Sequence, residues 1–331
     1  MPVAFAFCSQ RFGVLYVLFA AAIKFVTTDS SATAGIGYNS SMTQPLDLML
    51  INPKSGGLGK SASPQLVQAA FERSDLNPEM HLATSSRSMT KFVEAVRERR
   101  PRSVYIAGGD GTIGTVLKEC IDLPVRFGLI PTGTITNVAG TIGLTGDLEQ
   151  AVSVIKKGKT RRIDVARAGS GLMLEALGLG MFAEIFEKTD WDTDKNVGQM
   201  ITRSAIQVMT QEPVPVKAII DGNEREFETI WLAVANTPKL GALTLDPTAR
   251  NNDGSLELLY CRPLTALELP KYLISFMKGD HLQEDKFERI SGKHIRLSFP
   301  KDTTVHIDDQ VHHTSRLDVE VLPGALEIYA P

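Results

Sequence analysis

Cysteine is scarce. Cys8, Cys120 and Cys261 are the only three among 331 residues, and they are too scattered for metal-ligand spacing. A reducing compartment is the simplest setting for the body of such a chain, and Cys120 falls at an apolar position where core packing explains it. Net charge is also nearly absent. Thirty-five Lys and Arg against 38 Asp and Glu leave −3, which gives no basic footprint for nucleic acid. A long apolar run is missing too. The run from Val14 to Ile23, between Arg11 and Lys24, is too short for a confident membrane span. No internal repeat is visible.

What remains is an ordinary globular composition, 43% hydrophobic and 22% charged, with length enough for two cored domains. Residues 1–45 stand apart. Their apolar run resembles that of a leader or anchor, and 27–43 is rich in Ser, Thr, Ala and Gly. Met42 stands just before the first credible strand, and a third reading, an extension from a misassigned start, is slightly favoured because a cytosolic core follows. The expected setting is cytoplasmic with peripheral attachment to a membrane.

From 46 to 165 strands and helices alternate, which predicts a parallel sheet covered by helices. Strands are expected over 46–51, 81–84, 104–107 and 127–130. Ser63-Pro64 reads as N-cap and first helical residue, with Leu66, Val67, Ala70 and Phe71 on the apolar face. The most telling segment is Gly108-Gly109-Asp110-Gly111-Thr112. It follows the apolar Val104-Tyr105-Ile106-Ala107 and precedes apolar residues at 113, 116, 117, 120 and 121, which is helical spacing. Glycines there let the backbone approach a ligand, and N–H groups at a helix start hold anions. An acid inside such a loop repels phosphate unless a cation intervenes, so Asp110 predicts a metal–phosphate site. Ligands in such sheets bind at the carboxyl ends of strands.

Beyond 165 short β-like runs dominate, at 214–220, 229–235, 256–260, 294–299, 304–307, 317–322 and 326–329, with one helix near 267–278. Residues 166–331 therefore read as a second, mainly antiparallel β-sandwich domain, whose last strand can return to the first. Overall the expected class is α/β with two domains.

Five segments in this order carry a family resemblance: Asn52-Pro53-Lys54-Ser55-Gly56, Gly108-Gly109-Asp110-Gly111-Thr112, Ile130-Pro131-Thr132-Gly133-Thr134, Asp253-Gly254, and Val321-Leu322-Pro323-Gly324-Ala325-Leu326. They resemble the diacylglycerol kinase catalytic-domain superfamily, especially the small bacterial soluble lipid kinases. The resemblance implies ATP-dependent phosphorylation of a lipid hydroxyl, with ATP between an α/β domain and a β-sandwich. Carried over by motif, Asn52, Thr84, Gly108, Gly109, Gly111, Thr112, Gly133 and Thr134 would line the nucleotide. Asp110, Asp164 and Asp253 would position Mg²⁺, partly through water, since that ion takes few carboxylates. It also implies a lipid partner at a membrane surface and leaves a homodimer open. Two of the acids have plainer readings. Asn252-Asp253-Gly254-Ser255 is a good turn sequence, and Asp164 could pair with Arg161 or Arg162.

The sequence departs from the family at three acidic positions. Gly114 and Thr115 stand where Asn-Glu is usual, and Thr136 and Asn137 where Asn-Asp is usual. Asp308-Asp309-Gln310 replaces Asp-Gly-Glu, whose glutamate is the expected general base. Gln310 belongs to the catalytic set by position, yet an amide takes no proton at neutral pH. Strand alternation would put Asp308 and Gln310 on one face and Asp309 on the other. These losses keep open a weakened nucleotide- or lipid-binding homologue. An NAD kinase, which shares the glycine loop, fits the ending less well. The basic run 156–162 reads as a solvated helix end or as a weak contact with anionic lipid.

Overall fold

The computed structural model describes residues 47–55, 63–133, 136–180, 212–241, 243–265 and 267–331. Residues 44–331 form one compact unit. Its first half alternates β1 (Leu48–Ile51), α1 (Pro64–Arg73), β2 (Glu79–Leu82), α2 (Ser86–Arg99), β3 (Ser103–Gly108), α3 (Asp110–Glu119), β4 (Arg126–Pro131), α4 (Asn137–Thr141) and α5 (Leu148–Lys157). Strands β2, β1, β3 and β4 lie side by side in that order, all parallel. Strands β1 and β3 are buried along their whole length, because helices cover both faces.

Local chemistry sets the helix boundaries. The Ser63 side chain accepts the Leu66 N–H, and Pro64 opens α1. Val67, Ala70 and Phe71 of α1 are buried, but Leu66 is 58% exposed, so the apolar face is narrower than the sequence predicts. Helix α5 starts on an Asp147 cap and ends at Gly158 in the left-handed region. That glycine divides the basic run 156–162. Lys156 and Lys157 finish the helix, whereas Arg161 and Arg162 already belong to a strand.

The second half is β5 (Thr160–Ala168), β6 (Gly171–Met173), β7 (Ala176–Gly180), β8 (Val214–Ile220), β9 (Asn223–Thr229), β10 (Trp231–Ala235), β11 (Lys239–Leu240), β12 (Leu243–Thr244), β13 (Leu256–Cys261), α6 (Leu269–Lys278), β14 (Phe287–Gly292), β15 (His294–Ile307) and β16 (Gln310–Tyr329). It is a mainly antiparallel β-sandwich. Pairs of runs expected to be separate are single long strands, β15 and β16, each with a register shift inside it. Conversely, 223–229 forms a strand of its own, and 160–168 is strand where the sequence suggested only a domain seam.

Side chains alternate between two cores. Leu232, Val234 and Leu258 join one, while Trp231, Ala233, Ala235 and Leu259 join another with Phe276 of α6. Strand β16 links the halves. It pairs antiparallel with β15 and β5, then runs parallel to β4 at Glu327 and Ile328. The Tyr329 hydroxyl meets that of Ser103 at 2.9 Å in the interior of the first half.

Candidate functional site

Three loops meet at the carboxyl ends of the parallel strands. The loop after β1 is tied to β3 by the Asn52 N–H to the Ala107 carbonyl (2.8 Å) and to α3 by Asn52 Nδ2 to Thr112 Oγ1 (2.8 Å). Ser55 and Thr132 share a 2.8 Å hydroxyl hydrogen bond, which joins the first loop to the one after β4. The Thr132 N–H donates to the Gly108 carbonyl at 3.0 Å. These bonds gather Asn52, Gly108, Gly109, Thr112 and Gly133 around the N-terminus of α3. Thr84, exposed, follows β2 beside them, since the Ala83 N–H bonds the Ile51 carbonyl at 2.8 Å. Thr134, Gly56 and the stretch 181–211 lie outside the described residues.

The glycines have distinct physical reasons. A Cβ on Gly108 would fall 2.6 Å from the Thr112 Cβ, so only glycine lets the strand turn so closely into α3. A Cβ on Gly109 would meet the Gly133 Cα at 3.4 Å, the point where two loops nearly touch. Gly111 faces open space. The first N–H groups of a helix have no partner within it and carry partial positive charge. The end of α3 is thus suited to phosphate oxygens.

Asp110 opens α3 and bonds to the next loop. Its Oδ2 accepts the Asn137 N–H at 3.1 Å, whereas its Oδ1 is buried without a partner. Burial, with a smaller contribution from the Asp308 charge, pushes its carboxyl up to about 6. The orphaned oxygen is a fit for a cation, which would neutralise it.

Asp164 and Asp253 have partners of their own. The Asp164 side chain is buried, and its two oxygens accept the Gly254 and Gly324 N–H groups, each at 2.7 Å. It pins two turns together rather than pairing with Arg161 or Arg162. Asp253 Oδ1 accepts from the Ser255 N–H (3.1 Å) and hydroxyl (2.9 Å), as in a plain turn. Among the described residues no three His, Cys, Asp or Glu side chains converge to hold a metal ion.

Alternation does not govern residues 308–310. Ile307 pairs with Gln310, so Asp308 and Asp309 form a two-residue turn, with Asp308 at φ 51°. Asp308 turns inward. It accepts the N–H groups of Leu174, Glu175 and Ala176 at 2.9–3.2 Å and meets Lys118 Nζ of α3 at 2.7 Å. Gln310 is exposed beyond it.

Two groups here were not singled out from the sequence. Lys118 is one. The other is Glu175, between β6 and β7 and only 8% exposed. Its Oε2 accepts from Asn137 Nδ2 at 2.7 Å. Burial first, then the Asp110 and Asp308 charges, push it up to about 8. A lone acid inside the apolar run 172–179 was the available signal. Thr115, by contrast, is exposed and bonds back to the Gly111 carbonyl at 2.7 Å.

Comparison with known proteins follows the same division. Residues 48–168 match the diacylglycerol kinase catalytic domain, and 186–330 match the YegS C-terminal NAD kinase beta sandwich-like domain. The diacylglycerol kinase of Bacillus subtilis (strain 168) is 22% identical, over 79% of this chain and 88% of its own. That of Staphylococcus carnosus is 22% identical, over 86% and 94%. The crystal structure of a diacylglycerol kinase from Bacillus anthracis superimposes with a TM-score of 0.67 at 19% identity, covering 87% of this chain and 97% of that one. This last likeness is one of fold.

Proposed function

The chain belongs to the diacylglycerol kinase catalytic-domain superfamily, and from that premise we propose that it transfers the γ-phosphate of ATP to a lipid hydroxyl at a membrane surface. The observation that carries this reading is the convergence of the loops after β1, β3 and β4 on the N-terminus of α3, with a partly unpartnered Asp110 inside it. Phosphoryl transfer asks mainly for positioning and charge neutralisation. Backbone N–H groups of residues 109–112 hold the phosphates, and Asn52 fixes the Thr112 hydroxyl among them. Mg²⁺, when bound beside Asp110, supplies the charge that offsets the phosphates. The lipid oxygen forms a bond to the γ-phosphorus as the bond to the β-phosphate oxygen breaks, leaving ADP. The hydroxyl proton departs late to solvent, because Gln310 cannot accept it and a loose transition state demands little deprotonation.

The test is a panel of diacylglycerol, monoacylglycerol, phosphatidylglycerol, ceramide and sphingosine with labelled ATP and Mg²⁺ or Mn²⁺. Label in one lipid is the expected result, and label in none refutes the proposal. A second reading, a nucleotide-binding homologue with little turnover, draws on Thr115, Asn137 and Gln310. It predicts ATP binding by calorimetry with no labelled product. Adding NAD to the panel separates the third reading, since a kinase for that nucleotide would label it instead.

A further inference from the structure

Helix α4 has only five residues, too few to hold its own place. Its first residue is fastened by its side chain. Asn137 Nδ2 donates to Glu175 Oε2 (2.7 Å) and to the Gly241 carbonyl (3.0 Å), both from the β-sandwich half. The backbone of the same residue then donates to Asp110 Oδ2 at 3.1 Å, and the Val138 N–H also faces that carboxylate. The path from Glu175 to Asp110 is therefore one side chain and one peptide N–H long. Asp110 keeps its Oδ1 unpartnered, so the first turn of α4 sets its orientation.

A neutral amide at 175 could also accept the Asn137 hydrogen bond. The acid instead places a third carboxyl beside Asp110 and Asp308, where the near cation, Lys118, is already engaged by Asp308. Such an arrangement costs stability, and sites of this kind are commonly kept for function.

We propose that Glu175 is a positioning residue. Its carboxyl oxygen anchors the Asn137 side chain, and through the Asn137 N–H it aims Asp110 at the cation of the bound nucleotide. This rests on the kinase reading above. It also gives the amide at 137, where relatives of this type usually carry an acid, an acidic partner one hydrogen bond away.

Calorimetry on the full chain tests it. ATP affinity is measured with the metal chelated and with saturating free Mg²⁺, and the ratio of the two is the metal's contribution. In Glu175→Ala, which removes the acceptor, that ratio should fall about 10-fold, as expected when a group behind a metal ligand is changed, whereas Glu175→Gln, which keeps it, should hold the ratio near the parent's. Affinity for metal-free ATP should stay the same in both, and the melting temperature of Glu175→Gln should not drop. An unchanged ratio in Glu175→Ala overturns the proposal, and so does an equal loss with and without Mg²⁺, which marks a damaged pocket. Parent protein that binds no ATP refutes the kinase reading and this role with it. Parent binding with an unaltered ratio in Glu175→Ala refutes the role alone.

Discussion

Lys118 Nζ and Asp308 Oδ2 lie 2.7 Å apart, although 190 residues separate them in the chain. The pair joins the helix that carries the glycine loop to the hairpin turn of the β-sandwich. Asp308 also satisfies three N–H groups at 174–176. One buried carboxylate thereby fixes the floor of the site from both halves. Removing a single partner leaves a charge uncompensated. Lys118→Met should cost about 2–3 kcal/mol, at or below the range for buried pairs because Lys118 is partly exposed. Asp308→Ala should cost more, since three donors are orphaned as well. Urea melts of the two variants check the order, and a smaller loss for Asp308→Ala would show that the N–H groups find other acceptors.

The glycine loop permits a matched comparison. Gly108→Ala forces a methyl into Thr112, and overpacking of this kind costs about 1–3 kcal/mol. Gly111→Ala meets open space in the first turn of α3, where alanine is the better former by less than the ~1 kcal/mol of a helix interior. It should keep or raise the melting temperature and still weaken ATP binding, because its methyl enters the nucleotide's space. Stability lost in both variants alike would contradict this.

Gln310 stands at the expected base position, exposed at the mouth of the hairpin. Gln310→Glu supplies the missing base. General-base help is worth roughly 10²-fold or more, so turnover of the preferred lipid should rise with little change in KM for ATP. Equal rates would mean that the reaction does not use a base at this position.

The raised carboxyls make stability depend on pH. Glu175 moves from 4.5 to about 8, and Asp110 from 3.8 to about 6. Both hold protons in the folded state that the unfolded chain has released. The folded state is therefore penalised increasingly as pH rises above the unfolded values, and the penalty levels off above about 8. Unfolding free energies measured across that window should fall with pH. Glu175→Gln should flatten the upper part of the slope, and an identical slope in the variant would place the cause elsewhere.

Much of the first half was legible because its signals are local. Ser63-Pro64 caps α1, Gly108–Thr112 turns a strand into a helix, and buried strands read as apolar runs. The misreadings arise where distant groups decide. Asp164 looked like a surface acid that could pair with Arg161 or Arg162, yet it is buried and its partners are the Gly254 and Gly324 N–H groups, far off in sequence. Nothing near Lys118 announces Asp308. The alternation argument at 308–310 failed because it assumed a strand where the chain makes a turn. Leu66 fits the helical period but lies past the edge of the covered face. Glu175 could have been noticed as a charge among apolar neighbours, although only the fold shows that Asn137 waits opposite it.

The crossing of β16 into the first sheet also bears on how the molecule is made. Strand β4 is flanked by β3 on one side and by residues 327–328 on the other. During synthesis, β1 to β4 leave the ribosome long before Tyr329, whose hydroxyl meets Ser103 across 226 positions of sequence. Until then the open side of β4 offers unpaired backbone groups to any other strand. Closure of such a distant contact is slow, and the nascent first half is the stage most exposed to aggregation. Chaperone demand during translation is thus written into the route of a single strand.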